Sequence, residues 1–239
     1  MNLLKFKLIV VLTIFVISLY ATDTITSIYD IQFTTNPGFD GTFPSPLVNQ
    51  NVTVQGIVTA SGFESGRIFI SDRRGGAWSG IAIEPIRNRV SIGDFIEVQG
   101  RVSEIMGMTI ITQPQNFKII SRNNSLPSPT MVTAHDALTM EAYESVLVSI
   151  SNLTCTKTTS GNSLALVEDN TASLNIGNGF NSDIKNDYFI IGAKYNHIVG
   201  IVNFSHNRFT LHPRSVNDII QESMGTQSSS WGIIKSMYR

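Results

Sequence analysis

The run Asn51-Val52-Thr53-Val54-Gln55-Gly56-Ile57-Val58-Thr59-Ala60 opens with apolar residues at alternate positions. That period of two belongs to a strand with one face in a core. Gly56 interrupts the alternation, where a bulge would bend the strand. Outward from it the same period returns in short runs: Ile68 and Ile70, Ile81 and Ile83, Ile96 and Val98, Met108 and Ile110. Each run is rich in β-branched residues and bounded by Gly, Ser, Asn or Asp. Nothing between residues 45 and 125 sustains a helical stripe. Five short strands with one long, curved member predict a small closed barrel.

The series then recurs. Ser145-Val146-Leu147-Val148-Ser149-Ile150 answers the opening run, and Ser163-Leu164-Ala165-Leu166-Val167-Glu168-Asp169 answers Arg67-Ile68-Phe69-Ile70-Ser71-Asp72. Ala172-Ser173-Leu174-Asn175-Ile176 answers Gly80-Ile81-Ala82-Ile83. Gly200-Ile201-Val202 answers Gly100-Arg101-Val102, and Leu211-His212-Pro213 answers Thr112-Gln113-Pro114. A period near 100 residues is far longer than the ~20–50 of solenoids and propellers, so it signals domain duplication. Each copy has a lead-in, Ile28-Tyr29-Asp30-Ile31-Gln32 and Val132 to Leu138, and Pro- and Asn-rich joins flank the copies. The expected layout is a signal peptide over 1–21, one barrel over 26–122, a second over 130–222, and a linker with a C-terminal tail over 223–239.

The chain has 239 residues, 42% of them hydrophobic and 15% charged, with net charge −1. Lys5 and Lys7 precede the apolar run Leu8 to Leu19, and Ala21 follows it, which reads as an export signal. An uncleaved N-terminal anchor is the alternative. The destination is then outside the cell, on its surface or in the periplasm. Removing the signal leaves 15 basic and 18 acidic residues, which argues against general phosphate-backbone binding but leaves room for a local basic face. The single cysteine, Cys155, cannot form an intramolecular disulfide and is expected on the inner face of a strand.

Ile28 to Gln32, Val52 to Ala60 and Gly93-Asp94-Phe95-Ile96-Glu97-Val98-Gln99-Gly100-Arg101-Val102 resemble the OB-fold domains of bacterial secreted proteins. So does Ala142-Tyr143-Glu144-Ser145-Val146-Leu147-Val148 at the start of the second copy. The resemblance spans roughly residues 26–221. It implies an all-β protein of two tandem five-stranded OB-like barrels, of the type that accompanies extracellular nucleases. The larger members continue into a nuclease domain where this chain stops, so a binding module rather than an enzyme is expected.

OB barrels bind on the face of their second and third strands and on the surrounding loops. In the first copy that region carries Arg67, Phe69, Arg73, Arg74, Trp78 and Arg87, with Phe63 and Arg89 beside them. Rings interleaved with guanidinium groups suit single-stranded nucleic acid or another polyanionic polymer. The alternatives are a glycan or a surface protein held at Trp78, or a solvated hairpin tip with Trp78 capping the barrel. Glu64, Asp72 and Glu84 weaken the positive field. The stretch Glu168 to Phe180 of the second copy lacks arginine, so the first barrel is expected to be the binder and the second a spacer. His197, His206 and His212 fall on different strands or turns without metal-ligand spacing, so no cofactor or metal is expected. No nucleophile elbow or phosphate loop occurs. The tail Trp231 to Arg239 could dock to a sorting partner or pack on the second barrel, and a monomer is expected.

Overall fold

The computed structural model describes residues 24–64, 66–86, 90–159, 163–180 and 183–222. The signal segment, the tail from residue 223, Arg87 and Arg89 lie outside the described residues.

A two-residue strand, β1 (Ile25–Thr26), and a short helix, α1 (Ile28–Gln32), lead into the first barrel. The barrel strands are β2 (Asn51–Phe63), β3 (Arg67–Ser71), β4 (Gly80–Ile83), β5 (Phe95–Ile105) and β6 (Met108–Ser121). They run in the order β2-β3-β4-β6-β5, and pairing of β5 with β2 closes the ring. The second copy repeats the plan. After β7 (Thr130–Met131) and α2 (Ala134–Thr139) come β8 (Leu147–Thr158), β9 (Ser163–Glu168), β10 (Ser173–Gly177), β11 (Lys194–Ser205) and β12 (Arg208–His212). The order β8-β9-β10-β12-β11 closes through β11 with β8, and β13 (Ile219–Gln221) flanks β11. The protein is all-β, with two closed five-stranded OB-like barrels.

Local chemistry accounts for the lead-ins. Ser27 caps α1 by accepting from the Asp30 N–H at 3.0 Å. Thr133 and Asp136 cap α2 with a reciprocal pair of hydrogen bonds. In each copy the lead-in strand pairs parallel with the long first barrel strand.

That long strand works as the spacing predicts, with one correction. β2 pairs with β5 through residues 51–57 and with β3 from Ile57 onward, so it turns the barrel corner. The register slips lie between Val58 and Ala60 and between Ser61 and Phe63, not at Gly56. Gly56 is tightly placed for a different reason: a Cβ there would sit 3.0 Å from the Ser71 carbonyl and from Ile70 Cδ1, closer than ordinary side-chain contact. Each barrel has its own core, one around Val54, Ile70, Ile81 and Val98, the other around Val148, Ile150, Leu174 and Ile198. Cys155 is buried in the second.

A third apolar cluster joins the barrels. Ala60, Phe63, Phe69, Ala82, Met108 and Ile110 of the first copy meet Leu147, Phe180 and Ile201 of the second. The Phe63 ring meets Phe180 edge-on at 5.0 Å and His212 at 5.0 Å. Hydrogen bonds also cross the boundary: Glu64 N–H to the Gly179 carbonyl at 2.8 Å, Trp78 N–H to the Ala142 carbonyl at 2.6 Å, and Arg214 Nη1 to the Thr59 carbonyl at 3.0 Å. Gly179 admits no side chain, because a Cβ would collide with the Phe63 ring.

Candidate ligand-binding surfaces

The six site residues expected from the sequence separate into two groups, apart from Arg87. Ile68 and Ile70 of β3 point into the first core, so Arg67 and Phe69 point outward. That face is covered. Phe69 is fully buried against the second barrel and cannot stack on a ligand. Arg67 donates to Glu84 Oε2 at 2.7 Å and to Asn203 Oδ1 of the second barrel at 3.0 Å. With 13% and 18% side-chain exposure, Arg67 and Glu84 neutralise one another. These two residues serve the docking of one barrel on the other.

Arg73, Arg74 and Trp78 stand on the β3–β4 loop. Asp72 shapes it by accepting from the N–H groups of Arg74 and Gly75 at 2.9 and 3.1 Å. Arg73 lies over the Phe95 ring at 4.2 Å, and Arg73 and Arg74 are exposed with no ion pair among the described residues. Trp78 has φ +64, an uncommon conformation for a bulky residue, and its N–H is held by Ala142. Its ring meets Phe33 edge-on at 5.4 Å, and Phe33 stacks on Tyr29 at 5.0 Å and 10°. Tyr29 and Phe33 are 46% and 40% exposed. An aromatic ledge therefore runs from α1 to the loop. Sequence reasoning missed Tyr29 and Phe33, although their four-residue spacing, offset from the inward Ile28 and Ile31, puts Tyr29 and the C-cap Phe33 on the outer side of α1.

The second surface is a cleft of about 520 Å³ between the barrels. Glu64, Arg67, Glu84, Met106 and Met108 of the first barrel form one wall, and Ser163, Asn175, Asn203, Phe204, Arg208, Thr210 and His212 of the second form the other. Its fixed charges balance, Glu64 and Glu84 against Arg67 and Arg208. Arg208 is exposed and has no ion pair among the described residues. His212, expected at a surface or strand end, does end β12 but is 7% exposed. Burial, then the Arg67 charge, lowers its pKa to about 4. It is therefore neutral, and Nδ1 accepts from the Gly179 N–H at 3.0 Å.

Strand register aligns the two copies residue by residue. Asp72 and Asp169 each accept from the two residues closing an equivalent turn. Phe69 opposes Ala82 and Leu166 opposes Asn175. Ile105 opposes Met108 and Ser205 opposes Arg208. The buried set Phe69, Ala82, Met108 and Ile110 thus corresponds to Leu166, Asn175, Arg208 and Thr210, which are half-buried or exposed. The face expected to bind in the first copy is occupied, and of its counterparts in the second copy Asn175, Arg208 and Thr210 open into the cleft.

No family model matches the chain. No curated protein matches it either. Among solved structures, "Structural mimicry for functional antagonism" aligns at TM-score 0.33 and 9% identity, over 74% of this chain and 94% of that one. "Crystal structure of the tetrameric p202 HIN2" aligns at 0.33 and 10%, over 73% and 95%. At this degree of similarity neither bears on what this chain binds.

Proposed function

We propose that the chain is an exported, non-catalytic binding protein whose second barrel takes a polar, uncharged ligand, a glycan, in the inter-barrel cleft. The carrying observation is the exchange of buried Ala82, Met108 and Ile110 of the first copy for the cleft-lining Asn175, Arg208 and Thr210 at the same positions. A volume of about 520 Å³ lies within the ~300–1,000 Å³ of small-ligand sites. Amide, hydroxyl and guanidinium groups would meet sugar hydroxyls, and Phe204 and Met106 would meet the apolar face of a ring. Balanced charge favours a neutral ligand over a polyanion. The reading as a binder gains from the state of two reactive side chains: Cys155 and His212 are both committed to packing. Export rests on the Lys5-to-Ala21 pattern.

The test is calorimetric titration with neutral hexasaccharides of cellulose, xylan and chitin. Binding should be insensitive to salt and should weaken by about tenfold in Asn175→Ala or Arg208→Ala, the loss of one or two ligand hydrogen bonds. Absence of binding across the panel, or indifference to both changes, sinks the reading.

A second reading keeps single-stranded nucleic acid or another polyanion on the ledge, favoured by Arg73 and Arg74, exposed and without an ion pair among the described residues, beside three rings. Two phosphate contacts predict about a sevenfold loss of affinity for oligo-dT between about 50 and 200 mM salt. The loss should vanish in the Arg73→Ala, Arg74→Ala double variant.

A further inference from the structure

Three glutamates converge where the barrels meet. Glu104 comes from β5, while Glu141 and Glu144 come from the 3-10 turn and the residue just after it, ahead of the second barrel. One residue anchors two of them: Thr109 gives its N–H to Glu144 Oε1 at 3.0 Å and its hydroxyl to Glu104 Oε1 at 2.8 Å. Glu104 Oε1 also accepts from the Ser45 N–H at 2.9 Å. The second oxygens of both carboxyls, Glu104 Oε2 and Glu144 Oε2, are buried without a hydrogen-bond partner. Glu144 is only 2% exposed.

Two carboxylates whose second oxygens are buried without a partner are costly to ionise together, since burial strips water from those oxygens and the charges repel. Arg67, whose charge is felt at Glu144, is already held by Glu84 and Asn203. Asp40 adds negative charge near Glu104, and His206 lies at the solvent mouth with Asp40 and Glu104. Burial, then the Glu141 and Glu104 charges, pushes the Glu144 carboxyl well up, against weaker pulls from Thr109 and Arg67. Burial, then Glu104, pushes Glu141 up to about 8. Burial likewise raises Glu104, opposed by its bonds to Ser45 and Thr109.

We propose that protons retained on Glu104, Glu141 and Glu144 fasten the second barrel to the first, and that losing them to solvent in mildly alkaline solution loosens the docking. A carboxyl whose folded pKa is raised contributes stability below the ordinary carboxylate range, and loses it as pH rises through the folded value. For Glu141 that window closes at about 8. The cluster lies on the boundary, so its titration should be felt there before it is felt in either core.

Hydrogen exchange on the full chain tests this. The Glu64 and Trp78 amides bond across the boundary, whereas the Val58 amide bonds to Asp94 within the first barrel. Protection of the two boundary amides relative to Val58 should fall by about tenfold or more between about pH 6 and pH 9, as expected for at least one retained proton. Glu144→Gln, which keeps the shape and fixes the neutral form, should hold that ratio nearly flat, and Glu141→Gln should do so in part. Glu168→Gln, on the exposed side of β9, should behave as the parent protein. A ratio constant in the parent, or falling equally in Glu144→Gln, overturns the proposal. Restoration at high pH by millimolar calcium alone would also overturn it, because the junction would then be a cation site rather than a proton store.

Discussion

The two barrels share one topology and invert one another's surfaces. In the first, the outer face at Phe69, Ala82, Met108 and Ile110 is apolar and buried, while Asn51 and Arg101 on the opposite side are exposed. In the second, register places Leu147 and Ile201 where the first has Asn51 and Arg101, two residues on from the Ser145 that the sequence pairs with Asn51, and both are buried, whereas the other face carries Asn175, Arg208 and Thr210. On these two faces, each copy is apolar on the side that meets the other and polar on the side that does not. Conservation of the barrel core and exchange of its outer residues are separate processes, since inward and outward side chains alternate along each strand.

The largest way to break that comparison is Phe63→Ala. It empties the centre of the joint and should cost about 3–5 kcal/mol in urea denaturation, with the loss falling on the boundary rather than on either core. Next is the acid limb. His212, lowered to about 4 from the ordinary imidazole value of about 6.5, contributes stability present above the unfolded value and lost as pH falls through the folded one. Its full loss is worth about 3 kcal/mol. His212→Asn, which keeps an acceptor for the Gly179 N–H, should flatten the denaturation midpoint below pH ~6; an unchanged acid limb would show that another group carries it. Together with the glutamate cluster, which weakens the boundary toward alkaline pH, this predicts greatest stability in between.

Transplanting the second copy's residue into the first, Ala82→Asn, buries an amide without a partner and should cost about 1–3 kcal/mol. The reverse change, Asn175→Ala, should alter stability by no more than about 0.5 kcal/mol while weakening ligand binding. Equal costs at both sites would erase the distinction between a covered face and an open one.

Strand positions, closure and duplication were legible because burial of alternate β-branched residues leaves a direct imprint on the sequence. The site was harder to read. Arg67 and Phe69 lie on the face where OB barrels bind, but an outward aromatic beside an arginine looks the same whether it awaits a ligand or a second domain. Only the packing of Phe180 and Asn203 against them decides. Arg208 was missed because it lies on β12, about 40 residues beyond the segment that corresponds to the first copy's loop; sheet neighbours need not be sequence neighbours. The glutamate junction joins Glu104 to Glu144 through Thr109, a contact that exists only once both barrels are folded and docked.

The head-to-tail joint has one more consequence. Unlike patches that meet without a twofold axis can in principle be extended indefinitely, one unit upon the next, into a fibre. Here the two outward faces are polar: Asn51 and Arg101 lie at one end, and Asn175, Arg208 and Thr210 at the other. They act as caps, in the way that polar outer faces close a repeat array. A variant carrying Phe, Ala, Met and Ile at 166, 175, 208 and 210 would restore the apolar face, and Leu and Ile at 51 and 101 would supply its partner. That variant should polymerise, as sedimentation of it beside the unaltered chain would show.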